Sequence, residues 1–136
     1  MLSGGLLLNE GRRILRPFGI TESQFNILML LGLQSDDGRM SQTRLGGMLM
    51  VNRSDVTGLV DRMERSGLVR RIPDPDDRRV NLVELTPHGR EVFRQAHDVY
   101  YKAISAIMSP LSHDDQIHLC ELLARVRERI RTMQKD

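Results

Sequence analysis

The feature that most constrains the fold is a series of helix-start signals, followed by an arginine-rich turn between two short β-branched runs. A short polar side chain favours a helix start when it can accept a hydrogen bond from a free backbone N–H of the first turn. Thr21 with Gln24 and Asn52 with Asp55 have this spacing, and Ser41 supplies a third cap. The sequence therefore predicts helices that begin near Glu22, Gln42 and Arg53.

The third of these helices has one apolar face and one polar face. Val56, Leu59, Val60 and Met63 recur at helical spacing and predict a buried stripe. Gly58 lies almost opposite this stripe, where a helix-forming residue would be favoured by up to about 1 kcal/mol. A missing side chain there favours close approach to a bulky partner. A solvated outer face would give the same polar pattern.

A hairpin is predicted directly after Gly67, which suits the left-handed position that ends the third helix. Residues 68–72 and 80–85 are the strand candidates. The connecting turn contains two prolines, which stiffen it by fixing φ. It ends in Arg78 and Arg79, and arginine is attracted to a narrow minor groove. Asp77 would repel phosphate unless it pairs with an arginine and orients it.

An ordinary charged hairpin tip is the alternative, since surface ion pairs contribute only about 0–1 kcal/mol. Two capped helices followed by a cationic hairpin nevertheless match the layout of a winged helix-turn-helix. In that layout one helix enters the major groove of duplex DNA, and the hairpin, or wing, lies against the adjacent minor groove.

Four blocks of the chain resemble the signature of the MarR (multiple antibiotic resistance regulator) family. They are LVDRME at 59–64, GLV at 67–69, DRR at 77–79, and the LTxxG element of Leu85, Thr86 and Gly89. Upstream, GITESQFNILMLL at 19–31 is similar to the LTxxQxxvL segment of that family, with Ile20 in place of the usual leucine. The resemblance extends over nearly the whole chain.

The resemblance implies a mainly α fold with a small β-hairpin wing, in which a winged helix-turn-helix is flanked by N- and C-terminal dimerisation helices. We expect a single domain over 1–136, with DNA binding at about 21–86 and dimerisation at about 1–17 and 87–134. The implied function is that of a cytoplasmic homodimer, a ligand-responsive repressor that binds a near-palindromic operator. The sequence does not distinguish a repressor from an activator.

The expected partner is double-stranded DNA, contacted by the helices that begin near Gln42 and Arg53 and by the wing. The expected DNA-binding residues are Ser41, Gln42, Thr43, Arg53, Ser54, Thr57, Gly58, Arg62, Asp77, Arg78 and Arg79.

The C-terminal third predicts two long amphipathic helices. Thr86 and Pro87 form an N-cap and first-turn pair, Pro110 ends the first helix, and Ser112 with Asp115 starts the second. Isolated helices gain most of their stability from packing, so these apolar faces need partners. In the family they interlock between two subunits. The expected dimer interface is the seam of Leu119, Leu122, Leu123, Val126, Ile130 and Met133.

Composition limits the remaining choices. Lys102 and Lys135 are the only lysines among 20 basic residues, and arginine is better suited to forked contacts with phosphate and guanine. The net charge is only +2, so the case for DNA depends on the local excess of arginine between Arg39 and Arg79. No apolar stretch is long enough to span a membrane. The apolar segment 1–8 lacks a basic n-region, and we interpret it as the start of the first helix.

No catalytic motif is present, and we expect no enzyme activity, cofactor or metal. His113, His118 and Cys120 suggest zinc, but their spacing on one helix turns the side chains apart. We expect Cys120 to be a small buried hydrophobe. The family binds effectors between the DNA-binding module and the dimerisation helices. For a small aromatic or amphipathic effector we expect contacts from Phe18, Met29, His97, Tyr100 and Tyr101.

The alternative function is a helical interaction or ligand-binding module that has lost DNA binding. Arg78 and Arg79 argue against it, since a wing freed from DNA has no need of two arginines at its tip.

Overall fold

A computed structural model describes the backbone of residues 2–49 and 53–135, and the side chains of residues 9–49 and 54–135. In chain order the elements are α1 (Leu2–Leu15), a 3-10 turn (Arg16–Phe18), α2 (Glu22–Leu33), β1 (Arg39–Ser41), α3 (Gln42–Leu49), α4 (Arg53–Arg65), β2 (Val69–Pro73), β3 (Asn81–Leu85), α5 (Pro87–Met108) and α6 (His113–Met133). The predicted fold class, mainly α with a small β wing, is confirmed. The chain divides into two compact units, one up to Tyr100 and one from Tyr101 onward.

The predicted helix starts at Glu22, Gln42 and Arg53 are confirmed. At α2 the side chains of Thr21 and Gln24 each accept a hydrogen bond from the other residue's backbone N–H, which forms a capping box. The Ser41 hydroxyl accepts from the Arg44 N–H at 3.1 Å. The predicted Asn52 cap lies outside the described residues. The apolar N-terminal segment is helical from Leu2, as predicted.

Gly67 ends α4, as predicted, and has a left-handed φ of 74°. Its N–H donates to the carbonyl oxygen of Glu64 at 3.0 Å, and the N–H of Leu68 donates to that of Met63 at 2.9 Å. This pair of bonds is a Schellman motif, which satisfies the last carbonyls of α4 and turns the chain into β2.

The sheet contains a strand that the sequence did not predict. Its order is β1-β3-β2, and both pairings are antiparallel, with Met40 opposite Val83 and Arg71 opposite Val83 on the other side. The two predicted wing strands are confirmed: the first is shifted by one residue, and the second begins one residue later and ends at Leu85 as predicted. The short β1 was missed because three residues carry no measurable alternation, and only the distant β3 defines them as a strand.

The hydrophobic core of the first unit is built on α2 and α4. Four side chains of α2 are buried, as is the whole predicted stripe of α4, which is at most 8% exposed. β1, β3 and the first half of α5 complete the core through Met40, Val83, Phe93 and Ala96. The apolar periodicity of α4 was therefore a correct guide to its buried face.

The second unit contrasts with the first because α6 buries none of its side chains between His113 and Met133. Its predicted start is confirmed, since the Ser112 hydroxyl accepts from the Asp115 N–H at 3.1 Å. The expectation that Cys120 is buried is wrong, because its side chain is exposed. A unit without an interior offers a thiol no buried position.

The predicted break before α6 is also confirmed. α5 starts at Pro87, behind a Thr86 hydroxyl that accepts from the Gly89 N–H at 2.9 Å, and it ends at Met108, shortly before Pro110. Among the described helices, none is long and apolar enough to cross a membrane.

Candidate nucleic-acid interface

The outer face of α4 offers an open surface beside Gly58. Ser54 and Arg62 are exposed, and Thr57 and Gly58 are half-buried. Among described atoms outside the helix backbone, only Arg62 Nη1 comes within 4 Å of where a Cβ on Gly58 would lie, at 3.6 Å. An arginine end group is flexible and can move aside. This face of the helix can therefore approach a bulky partner closely.

Part of the expected DNA-binding set is used inside the fold. The Gln42 side chain donates from Nε2 to Thr57 Oγ1 at 2.6 Å, which ties α3 to α4. Ser41 is engaged as the α3 cap, while Thr43 is exposed. The side chain of Arg53 lies outside the described residues.

Asp77 pairs with Arg79 at the wing tip. The guanidinium of Arg79 donates to both carboxylate oxygens of Asp77, from Nε to Oδ1 at 3.1 Å and from Nη2 to Oδ2 at 3.3 Å. The backbone N–H of Arg79 also donates to Oδ1 at 3.0 Å. These bonds, the side-chain pair first, lower the pKa of Asp77 below its ordinary value. The predicted pairing of Asp77 with an arginine is confirmed.

Arg79 remains accessible despite this pairing, since its side chain is 90% exposed. Arg78 is exposed beside it. The carboxylate therefore orients one arginine at the wing tip without enclosing it.

Glu84 is a buried acid that the sequence analysis missed. Its side chain accepts from Arg39 Nε on β1 at 2.8 Å and from Arg70 Nε on β2 at 2.5 Å, so one carboxylate links all three strands. The two arginines, Arg70 before Arg39, lower the pKa of Glu84. The pattern could not reveal this pairing, because Arg39 is 45 residues from Glu84 and its strand was not predicted.

Arg71 is a third arginine with acidic partners inside the module. Its Nη1 lies 2.7 Å from Asp61 Oδ1 and 2.7 Å from Glu64 Oε1, both on α4. Only 20% of its side chain is exposed. Arg39, Arg70 and Arg71 therefore add less to an outward positive field than the local arginine excess suggests, because each faces an acid. Among the arginine side chains that the structure describes in this region, Arg39 and Arg70 are exposed but face Glu84. The others that are exposed are Arg44, Arg62, Arg65, Arg78 and Arg79.

Three of the five residues expected to contact an effector lie at the core of the first unit. Phe18, Met29 and Tyr100 pack against the core, with the rings of Tyr100 and Phe25 4.8 Å apart. Burial, and then the charge of Glu22, raise the pKa of Tyr100. His97 lies beside Phe93 at a ring distance of 5.3 Å, and Tyr101 is exposed in the second unit.

A cleft of about 620 Å³ lies nearby, at the junction of α1 and α2. It is lined by Arg12, Arg16, Gly19, Ile20, Thr21, Glu22 and Ser23, and by none of the five expected residues. The guanidinium of Arg12 and the carboxylate of Glu22 are 3.8 Å apart there. Within the described part of the chain, no group of three or more His, Cys, Asp or Glu side chains could hold a metal ion.

Comparison with known proteins decides the family. The MarR family model matches residues 20–80. Transcriptional activatory protein BadR of Rhodopseudomonas palustris is 31% identical over 94% of this chain and 74% of its own length. The chain belongs to the MarR family. Another relative, HTH-type transcriptional repressor YetL of Bacillus subtilis, is 33% identical over 82% of this MarR-family chain and 66% of its own length.

Solved structures of MarR-family proteins have the same fold. AbsC from Streptomyces coelicolor superposes with a TM-score of 0.88 at 29% identity, covering 95% of this chain and 87% of AbsC. Sco3205 from the same organism, solved in complex with DNA, has a TM-score of 0.85 at 28% identity, with coverages of 95% and 85%. NadR in complex with 4-hydroxyphenylacetate has a TM-score of 0.79 at 26% identity, with coverages of 92% and 86%.

Proposed function

We propose that this MarR-family regulator acts as a homodimer that binds a near-palindromic DNA operator. The observation that carries the proposal is the exposed Arg79, held by Asp77 at the wing tip on the same module as the open face of α4. The relative Sco3205 was solved in complex with DNA, which supports the same partner here. We place DNA binding at about 21–86 and dimerisation at about 1–17 and 87–134.

In this proposal α4 enters the major groove and the wing lies along the adjacent minor groove. Thr57, Arg62 and the neighbouring Arg53 supply base discrimination, because major-groove edges differ for every base pair. Arg79 responds to the width and negative potential of the minor groove, which has a degenerate code. Thr43 and Ser54 contact the backbone, where contacts fix position and carry no sequence information.

Dimerisation is supported by the apolar seam of α6. Five of its six residues are large hydrophobic side chains that are 40–60% exposed in a single chain. A contiguous apolar surface of this length is typical of an interface and not of a monomer. Pairing two chains would bury it and present two copies of α4.

We also propose that the protein binds an aromatic effector with an anionic group. In this proposal it acts in the cytoplasm as a repressor by default and has no catalytic activity. The cleft has the size of a small-molecule site, and its lining includes Arg16 and Arg12 as cations for a carboxylate, with Arg12 facing Glu22 at 3.8 Å. NadR binds 4-hydroxyphenylacetate, a ligand of that chemistry. Relatives named as a repressor and as an activatory protein are both similar to this chain. Transcription from the regulated promoter, measured with and without the protein, therefore distinguishes repression from activation.

Selection of duplexes from random-sequence DNA, followed by titration of the enriched duplex, tests the proposal. Arg79→Ala should weaken binding to strong and weak sites by similar factors, and should reduce the salt slope by about one unit. Arg94→Ala is the matched control, because Arg94 forms the same two-bond pair with Glu91 on α5 at an exposed position outside the wing. Unchanged affinity in Arg79→Ala would contradict a role for the wing.

Asp77→Ala separates two roles of the carboxylate. If Asp77 orients Arg79, binding should weaken in the same direction as in Arg79→Ala. If Asp77 only repels phosphate, binding should strengthen. A wild-type protein that enriches no duplex would favour the alternative function, a ligand-binding module without DNA binding.

A further inference from the structure

Arg71 connects the wing to both helices of the helix-turn-helix. Its side chain starts on β2, donates from Nε to Gln42 Oε1 of α3 at 3.2 Å, and donates from Nη2 to the Thr57 carbonyl oxygen of α4 at 3.2 Å. Its Nη1 pairs with Asp61 and Glu64. A single guanidinium thus spans three elements, which a planar fork of five N–H donors can do and a lysine cannot.

Glu64 holds the same residue twice. One carboxylate oxygen accepts from Arg71 Nη1 at 2.7 Å, and the other accepts from the Arg71 backbone N–H at 3.1 Å. The backbone of β2 is therefore fixed to α4 at this point, as well as the side chain. Because β2 is the first strand of the wing and leads directly into its tip, the attachment of β2 sets where the wing tip lies relative to α4.

The charges at this junction have a second consequence. Asp61 and Glu64 are acids on the helix proposed to enter the major groove, where unpaired carboxylates would repel phosphate. Arg71 faces both of them and places a positive charge between them. Its largely buried side chain is better placed to offset these acids than to contact DNA itself.

We infer that Arg71 is a positioning residue for DNA recognition. It locks the wing to α4, so that the wing arginine and the recognition helix engage one DNA duplex as a single unit, and it offsets the acids of α4. This inference rests on the proposed DNA binding.

A double-mutant cycle tests it, with the duplex enriched by the wild-type protein as the probe. Affinity is measured for wild type, Arg71→Gln, Arg79→Ala and the double variant. Arg71→Gln should raise the dissociation constant of the complex with DNA about tenfold or more. In its background Arg79→Ala should cost a much smaller factor than in wild type, because residues that act as one unit are not additive.

Three further variants remove the ambiguities. Arg71→Lys keeps the charge without the fork, and should restore only part of the affinity and little of the coupling to Arg79. Glu64→Gln keeps the shape of the side chain but weakens its two bonds to Arg71. It replaces Arg71→Gln in the cycle if thermal melts show that Arg71→Gln fails to fold. Arg70→Gln is the matched control, since Arg70 is the adjacent strand arginine and pairs with Glu84. It should leave the coupling unchanged.

Independent, multiplicative losses in the cycle would overturn the positioning role while leaving DNA binding intact. Full rescue of affinity and coupling by Arg71→Lys would also overturn it, because charge alone would then suffice. A wild-type protein that enriches no duplex would overturn the proposed function and this inference together.

Discussion

α4 and α6 are both amphipathic helices with regular apolar spacing, and they differ in what covers the apolar face. The stripe of α4, from Val56 to Met63, is at most 8% exposed within its own unit. Five of the six seam residues of α6, those between Leu122 and Met133, are 40–60% exposed. Periodicity thus predicts which face of a helix will be buried, but it carries no information on whether the same chain or a second one buries it.

The ion pairs of the DNA-binding module and of α6 also differ in whether they connect separate elements. In the DNA-binding module, Glu84 and the pair of Asp61 and Glu64 bind arginines from other elements and so connect separate parts of the fold. On α6, the ion pair of Arg131 with Glu128 lies within one exposed helical face at 3.6 Å. The module uses its ion pairs to fix geometry, whereas exposed pairs within a helix contribute little.

The largest expected effect comes from adding charge to the α6 seam. Leu123→Glu with Ile130→Glu places two carboxylates in the proposed dimer interface, where an unpaired buried charge is very costly. We expect the dimer to dissociate or unfold and operator binding to be lost, as measured by light scattering and titration of the enriched duplex. Ala124→Glu with Thr132→Glu adds the same charges on the opposite face of α6 and should leave a dimer. A monomeric wild type at micromolar concentration would refute the seam as an interface.

A smaller but still large effect is expected at the junction between the wing and α5. A Cβ on Gly89 would lie 1.9 Å from the Leu68 carbonyl oxygen, which is a backbone atom and cannot move aside. Gly89→Ala should lower the free energy of unfolding by about 3 kcal/mol or more, since overpacking a fixed site is costly. Chemical denaturation measures this.

Gly47→Ala is the control for that substitution. Gly47 is exposed in α3, and no described atom outside its own helix backbone lies within 4 Å of the added Cβ. Alanine there should raise the stability by about 0.5–1 kcal/mol, because glycine is a poor helix former. Equal effects at both glycines would contradict the close packing of α5 on the wing.

The smallest effect is pH-dependent and concerns Glu84. Because Arg70 and Arg39 lower its pKa in the fold, the charged carboxylate stabilises the native state at pH values above its unfolded pKa. That stability is lost as the pH falls through the folded pKa. Glu84→Gln should therefore melt below wild type at pH 7, and the difference should shrink toward pH 3.

Glu128→Gln on α6 is the comparison for Glu84. Its ion pair with Arg131 is exposed and local, so the melting temperature should stay close to that of wild type at pH 7. A Glu84→Gln variant that melts with wild type across the pH range would show that the buried acid does not hold the three strands.

Local signals in the sequence predicted most of the elements. Caps such as Thr21 and Ser112 act within one helical turn, and the Gly67 terminator acts within five residues, so each is visible in a short window. The Asp77–Arg79 pair was predictable for the same reason, since its partners are two residues apart. The two β-branched runs and the arginine-rich turn predicted the wing, and the family resemblance added the expected dimer.

Features that depend on distant residues were not predictable. β1 is a strand only because it pairs with β3 some 45 residues later, between Arg39 and Glu84. Arg71 has the same local sequence character as Arg70, and only the folded chain shows that it faces α4. Cys120 was expected to be buried because its helix is apolar, yet burial there needs a second element to pack against.

The central claim is that two copies of α4 and the wing bind one duplex because α6 pairs two chains. The most direct measurement is the symmetry of the duplex enriched from random-sequence DNA, together with the mass of its complex by light scattering. We expect a dyad with half-sites about 34 Å apart, one helical turn, and two chains on each duplex. An enriched site without a dyad, or a complex with one chain on each duplex, would contradict the claim.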